Sequence, residues 1–176
     1  MKRIALIIAV AAMTCTAALA QSKVLVAYFS ATGNTERAAQ LVAEATGGTL
    51  HKITPVEAYT SNDLNWHDEN SRSSVEMNDA KARPGIVKNF SGAAADYDVV
   101  YLGYPIWWNQ APRVINTFLE TYDFSGKTII PFATSGGSSI DNSAKELQKA
   151  YPSIKWGRGQ LLNHATTGEI KTFINQ

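Results

Sequence analysis

The residues best suited to chemistry stand where a strand pattern becomes a helix pattern. The stretch SATGNT, residues 30–35, follows the apolar run KVLVAYF and leads directly into ERAAQLVAEATGG. Hydroxyl or amide side chains are carried by Ser30, Thr32, Asn34 and Thr35, and Gly33 lets the chain curve around a bound group. Because a helix N-terminus carries partial positive charge, this loop predicts a site for an anion.

The composition of this loop narrows the choice of anion. It holds a single glycine, so it lacks the three-glycine pattern of a dinucleotide-binding turn, and it has no Gly-Lys-Ser/Thr of a triphosphate loop. Its donors suit a monophosphate. The same residue types are also ordinary helix caps, so a plain helix start stays an alternative.

A second loop, GYPIWWNQAP at residues 103–112, is apolar where turn residues are normally polar. Tyr104, Ile106, Trp107 and Trp108 stand there together, between a strand pattern and a helix pattern. Large apolar groups at a ligand-binding edge favour a flat partner. Either tryptophan alone is also compatible with a core or rim position, but two adjacent ones cannot easily both point inward.

A third loop, ATSGGSS at residues 133–139, also follows a strand pattern and precedes a helix pattern. Gly136 and Gly137 have no side chains, so the backbone N–H groups there can approach the polar edge of a ring. A flexible linker has a similar composition. The position at the end of a strand favours binding.

The elements that position these loops alternate between strand and helix. Strands are predicted over Lys23–Phe29, Thr49–Ile53, Asp98–Leu102, Lys127–Phe132 and Trp156–Leu162. The first predicted helix runs from the end of SATGNT to Gly47. Further helices are predicted over Val114–Tyr122, over Ile140–Tyr151 and in a final segment capped by Thr167. This alternation predicts one α/β domain, residues 21–176, with a doubly wound parallel sheet. Ligands bind such sheets beyond the carboxyl ends of the strands, where the three loops lie.

The segment from Pro55 to Tyr97 is far longer than an ordinary crossover. It mixes polar residues with Tyr59, Trp66 and Met77, and a helix is predicted around residues 71–80. We refer to it as the excursion. A lid or substrate wall and a plain surface insertion are both compatible with this pattern.

Residues 1–20 have the pattern of an export signal. Lys2 and Arg3 precede an apolar run from Ile4 to Ala12, and Ala18-Leu19-Ala20 forms a small-x-small cleavage site. The apolar run is shorter than the roughly 20 residues that a spanning helix needs. We therefore expect cleavage before Gln21, export to the periplasm and no stable membrane anchor afterwards.

The charge and cysteine content of the remaining chain exclude several classes of function. Removing Lys2 and Arg3 from a formal net charge of +1 leaves about −1, which gives no electrostatic case for nucleic-acid binding. The single cysteine, Cys15, lies within the signal, so neither a disulfide nor a thiolate site is predicted in the mature chain. The histidines are too scattered to predict a metal site. Any redox chemistry must come from a bound cofactor.

Taken together, the loops describe a phosphate, a flat ring and a polar ring edge, which is the shape of flavin mononucleotide (FMN). The strings YDVVYLGYPIWW and FLETYDFSGKTIIPFATSGGSS resemble the flavodoxin family, and the resemblance extends from Lys23 to Gln176. It implies a five-stranded parallel sheet in the order 2-1-3-4-5 with FMN at the switch point.

The resemblance also implies which residues contact the cofactor. The phosphate loop comprises Ser30, Thr32, Gly33, Asn34 and Thr35. The loop along the isoalloxazine comprises Pro105, Ile106, Trp107 and Trp108, with Trp107 as the stacking residue. The loop at the pyrimidine edge comprises Ser135, Gly136, Gly137 and Ser138.

Three functions are compatible with this resemblance. The first is electron transfer through FMN to a redox partner protein, and the second is FMN-dependent reduction of a quinone-like or other flat small molecule. A flavin-free exported binding module is the third. No side chain is assigned as acid, base or nucleophile, although Tyr104 is a hypothetical proton donor near the flavin.

The sequence departs from the flavodoxin pattern in three ways. The chain is near neutral rather than strongly acidic, and its third loop has no aromatic residue to cover a second face of the ring. Trp108 stands where many members have glycine after the stacking aromatic. These departures argue against a very low second reduction potential. The missing aromatic also favours an acceptor that stacks on the uncovered ring.

Overall fold

The computed structural model describes residues 22–90 and 94–176. The predicted export signal at residues 1–20 lies outside the described residues. Across the described ranges, no helix is both long enough and apolar enough to cross a membrane.

A parallel β-sheet forms the centre of the molecule. Its strands are β1 (Val24–Tyr28), β2 (Thr49–Lys52), β3 (Val99–Pro105), β4 (Thr128–Thr134), β5 (Lys155–Trp156) and β6 (Gln160–Leu161). Their order is β2-β1-β3-β4-β5, and β6 also pairs with β4. The predicted fold class and strand order are confirmed.

Helices cover both faces of this sheet. They are α1 (Asn34–Thr46), α2 (Arg72–Asn78), α3 (Arg113–Thr121), α4 (Asp141–Ala150) and α5 (Thr167–Ile174), with a short 3₁₀ turn at Ala94–Asp96. Because side chains alternate along a strand, Leu25 packs in the core under α3 and α4, whereas Val26 packs in the core under α1 and α5. Burial of both faces explains the nearly continuous apolar runs of β1, β3 and β4.

The fifth strand is interrupted, contrary to the prediction of one strand over Trp156–Leu162. In β4 the carbonyls of Ile129 and Ala133 face this strand, because they accept the N–H groups of Gly157 and Leu162. Pro131 lies midway between them and has no N–H to donate in that direction. The chain therefore leaves the ladder after Gly157 and rejoins it as β6.

The last helix begins one residue earlier than predicted. Thr166, rather than Thr167, is the N-cap, since its hydroxyl accepts the N–H of Glu169 at 3.3 Å. The Glu169 carboxylate accepts the N–H of Thr166 at 2.7 Å. This reciprocal pair is a capping box, which a Thr followed three residues later by Glu signals in the sequence.

Candidate functional site

The three predicted loops meet at the carboxyl edge of the sheet and line two adjoining cavities of about 410 Å³ and 300 Å³. Both cavities are bordered by Thr32, Pro105, Ile106, Trp107 and Gly136, so we treat them as one groove. Trp108 lines the larger cavity, and Asn34 and Ser135 line the smaller one. Ser30, Gly33, Thr35, Gly137 and Ser138 stand in the same loops without lining either cavity.

The first loop leaves the N-terminus of α1 open. Gly33 is the N-cap with φ of 88°, no side chain caps the helix, and space lies around the Gly33 α-carbon. The first hydrogen bond within the helix runs from the Arg37 N–H to the Gly33 carbonyl at 3.0 Å. The N–H groups before Arg37 in the first turn therefore have no acceptor within the helix, as an anion site requires.

Two side chains of this loop hold it in place rather than facing the groove. The Ser30 hydroxyl accepts the Gly33 N–H at 3.1 Å. Thr35 is buried, and its hydroxyl lies 2.8 Å from the Thr134 hydroxyl on β4. Thr32 and Asn34 are the exposed polar side chains at the mouth of the loop.

Glu36 follows in the first turn of α1, and its charge is neutralised outside the groove. The Tyr28 hydroxyl donates to its carboxylate at 2.9 Å, and Lys52 forms an ion pair with it at 3.1 Å. These two partners, Tyr28 first, hold the pKa of Glu36 below its ordinary value. On the groove side, α1 presents Arg37 instead.

The second loop is a tight turn that fixes both tryptophans. Trp107 and Gln110 exchange N–H···O hydrogen bonds of 3.0 and 2.8 Å. The two residues between them, Trp108 and Asn109, have φ of 47° and 59°, as type I′ turns require. Asn142 of α4 donates to the Asn109 carbonyl at 2.9 Å and ties the turn to the domain.

Trp107 is anchored by two other aromatic rings. Its ring centroid lies 5.6 Å from Phe29 and 5.2 Å from Tyr59, both in edge-to-face geometry. Such contacts add to the apolar burial and restrict the rotation of the indole. A restrained indole beside the groove is suited to stack against a flat ring.

Tyr104 does not stand at the rim, contrary to the proton-donor hypothesis. Its side chain is fully buried beneath the groove, 3.2 Å from the Ser143 hydroxyl. Burial raises the pKa of Tyr104 to about 12. A side chain in this position packs the core and cannot protonate a group held in the groove.

The third loop is held by a side chain that the sequence pattern does not reveal. Asn163, after β6, accepts the Ser135 N–H at 2.9 Å and donates to the Ser135 carbonyl at 2.7 Å. The Ser135 hydroxyl in turn accepts the N–H groups of Gly137 and Ser138. Gly136, which has open space where a side chain would stand, is thereby fixed at the groove wall.

The excursion forms a wall of the groove. Its start is joined to residues 85–87 by hydrogen bonds from Val87 N–H to Thr54 O and from Val56 N–H to Gly85 O. Leu64, Trp66 and Ser73 from this segment line the larger cavity. Of the two alternatives, the structure favours the wall over the plain surface insertion.

Arg113 connects the excursion to the domain. Its side chain, only 8% exposed, donates to the carbonyls of Met77 and Asp79 at the end of α2, at 2.9 and 3.1 Å. It also donates to the Gln110 amide oxygen at 3.1 Å, so it joins the excursion to the tryptophan turn. Desolvation, with the nearby Arg83 charge, lowers the pKa of Arg113.

The comparisons with known proteins agree with this geometry. The model of the flavodoxin family matches residues 23–176. The chain belongs to the flavodoxin family. No curated protein shows significant similarity to it.

Several solved structures are similar to this flavodoxin-family chain. A candidate flavoprotein of Bacteroides uniformis is 59% identical over 88% of this chain and 99% of its own, with a TM-score of 0.85. One from Bacteroides eggerthii is 55% identical over 88% and 96%, also at 0.85. A flavoprotein of Lactobacillus acidophilus in complex with FMN is 18% identical over 80% and 93%, with a TM-score of 0.67, and shows likeness of fold.

Proposed function

We propose that this protein binds FMN and transfers electrons through it. The observation that carries the proposal is the convergence, in one groove, of an uncapped helix N-terminus, an anchored tryptophan and a glycine-rich loop. The groove volumes are in the range of pockets that hold small organic ligands. The FMN complex of the Lactobacillus acidophilus flavoprotein, which shares the fold, supports the choice of cofactor.

The residues of the groove fit the parts of FMN. The N–H groups at the start of α1, with the Thr32 hydroxyl and the Asn34 amide, would hold the phosphate. Trp107 would cover the isoalloxazine, and the backbone at Gly136 would approach its polar edge. When bound, FMN supplies one- and two-electron chemistry, while the protein orients the ring and limits its contact with water.

A second candidate function is the direct reduction of a flat small molecule. The observation that favours it is the pair of exposed tryptophans, Trp66 and Trp108, at the open side of the groove. For an exported protein, NAD(P)H is a scarce reductant, so either function would use a protein or membrane-bound electron donor. Electron transfer would end on a partner protein in the first case and on the flat molecule in the second.

The decisive experiment compares FMN with riboflavin, which has the same ring and no phosphate. Titration of the purified protein should quench FMN fluorescence, and FMN should bind at least about tenfold more tightly than riboflavin because hydrogen bonds to a charged phosphate are strong. Replacing Thr32 and Asn34 with leucine should reduce this preference, because only the backbone N–H groups would remain to hold the phosphate. Thr172→Val, an exposed threonine on α5, is the matched control.

Each outcome of this titration bears on a different part of the proposal. A folded protein that binds neither ligand would refute flavin binding and favour the flavin-free binding module. Equal affinities for FMN and riboflavin in the wild type would refute the phosphate assignment. With FMN bound, rapid reoxidation by a quinone would favour the second function over electron transfer to a protein.

A further inference from the structure

A second cavity of about 620 Å³ opens beside the groove. It shares two lining residues with the larger cavity of the groove, Trp66 and Trp108. Its remaining walls are polar and come from the excursion, with Glu69, Asn70 and Asn78 among them. The two tryptophans therefore stand between the groove and this second cavity.

Both tryptophans are exposed, and the ring of Trp66 lies against that of His67, another lining residue of this cavity, with ring centroids 3.5 Å apart. Trp66 is 67% exposed and Trp108 is 40% exposed, which is unusual for so large an apolar side chain. Trp108 also occupies a left-handed backbone conformation, which a bulky residue rarely adopts. Strain of this kind persists where surrounding hydrogen bonds enforce it, and such positions cluster at ligand sites.

The cavity beside the tryptophans has the chemistry of a small-molecule site. Indole rings provide flat apolar contact area, and the amides of Asn70 and Asn78 provide both donors and acceptors for a ligand. Glu69 places negative charge on the wall, which disfavours an anionic ligand. Its volume lies within the range of pockets that hold small molecules.

We infer that this cavity binds an uncharged, flat, conjugated ring compound bearing carbonyl or hydroxyl groups, a class that includes quinones. The inference rests on the proposed flavin function: two electrons from the reduced ring would cross the two tryptophans to the acceptor, and two protons from water would complete its hydroquinone. Trp66 and Trp108 contact the flat face of the molecule. Glu69, Asn70 and Asn78 select its polar substituents.

The test uses the purified protein saturated with FMN and two probes, 1,4-naphthoquinone and its anionic sulfonate. Calorimetry should detect binding of the neutral quinone, with the sulfonate at least about fivefold weaker. Trp66→Ala should weaken quinone binding about tenfold, and Trp66→Phe should restore most of it because the aromatic face is retained. Glu69→Gln should reduce the discrimination against the sulfonate. Val75→Ala, an exposed apolar residue of α2 outside both cavities, is the control.

The FMN affinity of every variant is measured in parallel, by fluorescence quenching. Failure of the wild type to bind FMN would overturn the flavin function itself. If the wild type binds FMN, unchanged quinone affinity in Trp66→Ala would overturn only the acceptor site. Displacement of FMN by the quinone would also overturn it, because the two molecules would then share the groove. Loss of quinone binding in Trp66→Ala at saturating FMN, rescued by phenylalanine, supports the acceptor site.

Discussion

Replacing Arg113 with methionine should loosen the excursion and lower the free energy of unfolding. Methionine keeps the aliphatic stem of the side chain but removes the guanidinium that donates to the carbonyls of Met77 and Asp79. It also removes the hydrogen bond to the Gln110 amide oxygen. The end of α2 and the tryptophan turn would then lose their common hydrogen-bond donor.

The magnitude follows from two opposing contributions. Each hydrogen bond from a charged donor contributes about 1.5–3 kcal/mol, and buried carbonyls left without a donor add to the loss. Burial of the guanidinium opposes this, as the lowered pKa of Arg113 indicates. We expect the free energy of unfolding to fall by about 2–3 kcal/mol, which is less than the summed contributions of the separate hydrogen bonds.

Urea unfolding followed by far-ultraviolet circular dichroism would measure this loss. Amide hydrogen exchange should show the largest loss of protection in α2. Arg158→Met, an exposed arginine in the break of the fifth strand, is the matched control and should change stability by less than about 0.5 kcal/mol. A loss in Arg113→Met no larger than that of the control, with α2 protection unchanged, would refute the reasoning.

Three further predictions concern the sheet, the turn and pH. In Gly103→Ala the new methyl group would meet the ring of Phe132, so thermal unfolding should show a loss of about 1–3 kcal/mol. Trp107→Ala should lower the free energy of unfolding in urea by about 2–3 kcal/mol, because anchored aromatic packing is lost. Trp108→Gly should lower it by less than about 1 kcal/mol, because the removal of backbone strain offsets the lost contacts. Equal losses in the two variants would contradict this reasoning. The pKa of Glu36 is lowered in the folded state, so its carboxylate contributes fully to the free energy of unfolding above the ordinary carboxyl pKa. This contribution is lost as the pH falls through the folded value. Glu36→Gln should therefore lose less stability in acid than the wild type, by less than about 1 kcal/mol for this partly exposed group.

The parts of the fold that depend on local sequence were predictable. Continuous apolar runs identify buried parallel strands, and a Ser/Thr/Asn-rich turn before a helical repeat identifies the start of α1. The positions of these loops at one sheet edge then follow from the strand alternation. The interruption of the fifth strand was also accessible, because Pro131 within KTIIPF removes one donor from β4.

The remaining parts depend on contacts between distant residues. Trp66 lines the groove from a segment that runs into α2, and Arg113 holds the end of α2 through a bond to Met77 that joins residues 36 positions apart. Asn163 fixes the third loop across 28 positions. The burial of Tyr104 was not predictable either, because whether a residue near the end of β3 faces the core or the groove depends on where the strand ends. No local pattern carries such information.

The interruption of the fifth strand has a consequence for association between molecules. This side of the sheet ends in β5 and β6, each two residues long, and residues 157–159 between them belong to no strand. An incoming extended chain needs a continuous row of free N–H and carbonyl groups, and here it would find none long enough. Pro131 thereby protects this sheet edge against strand addition, which removes one route to edge-to-edge aggregation at high protein concentration.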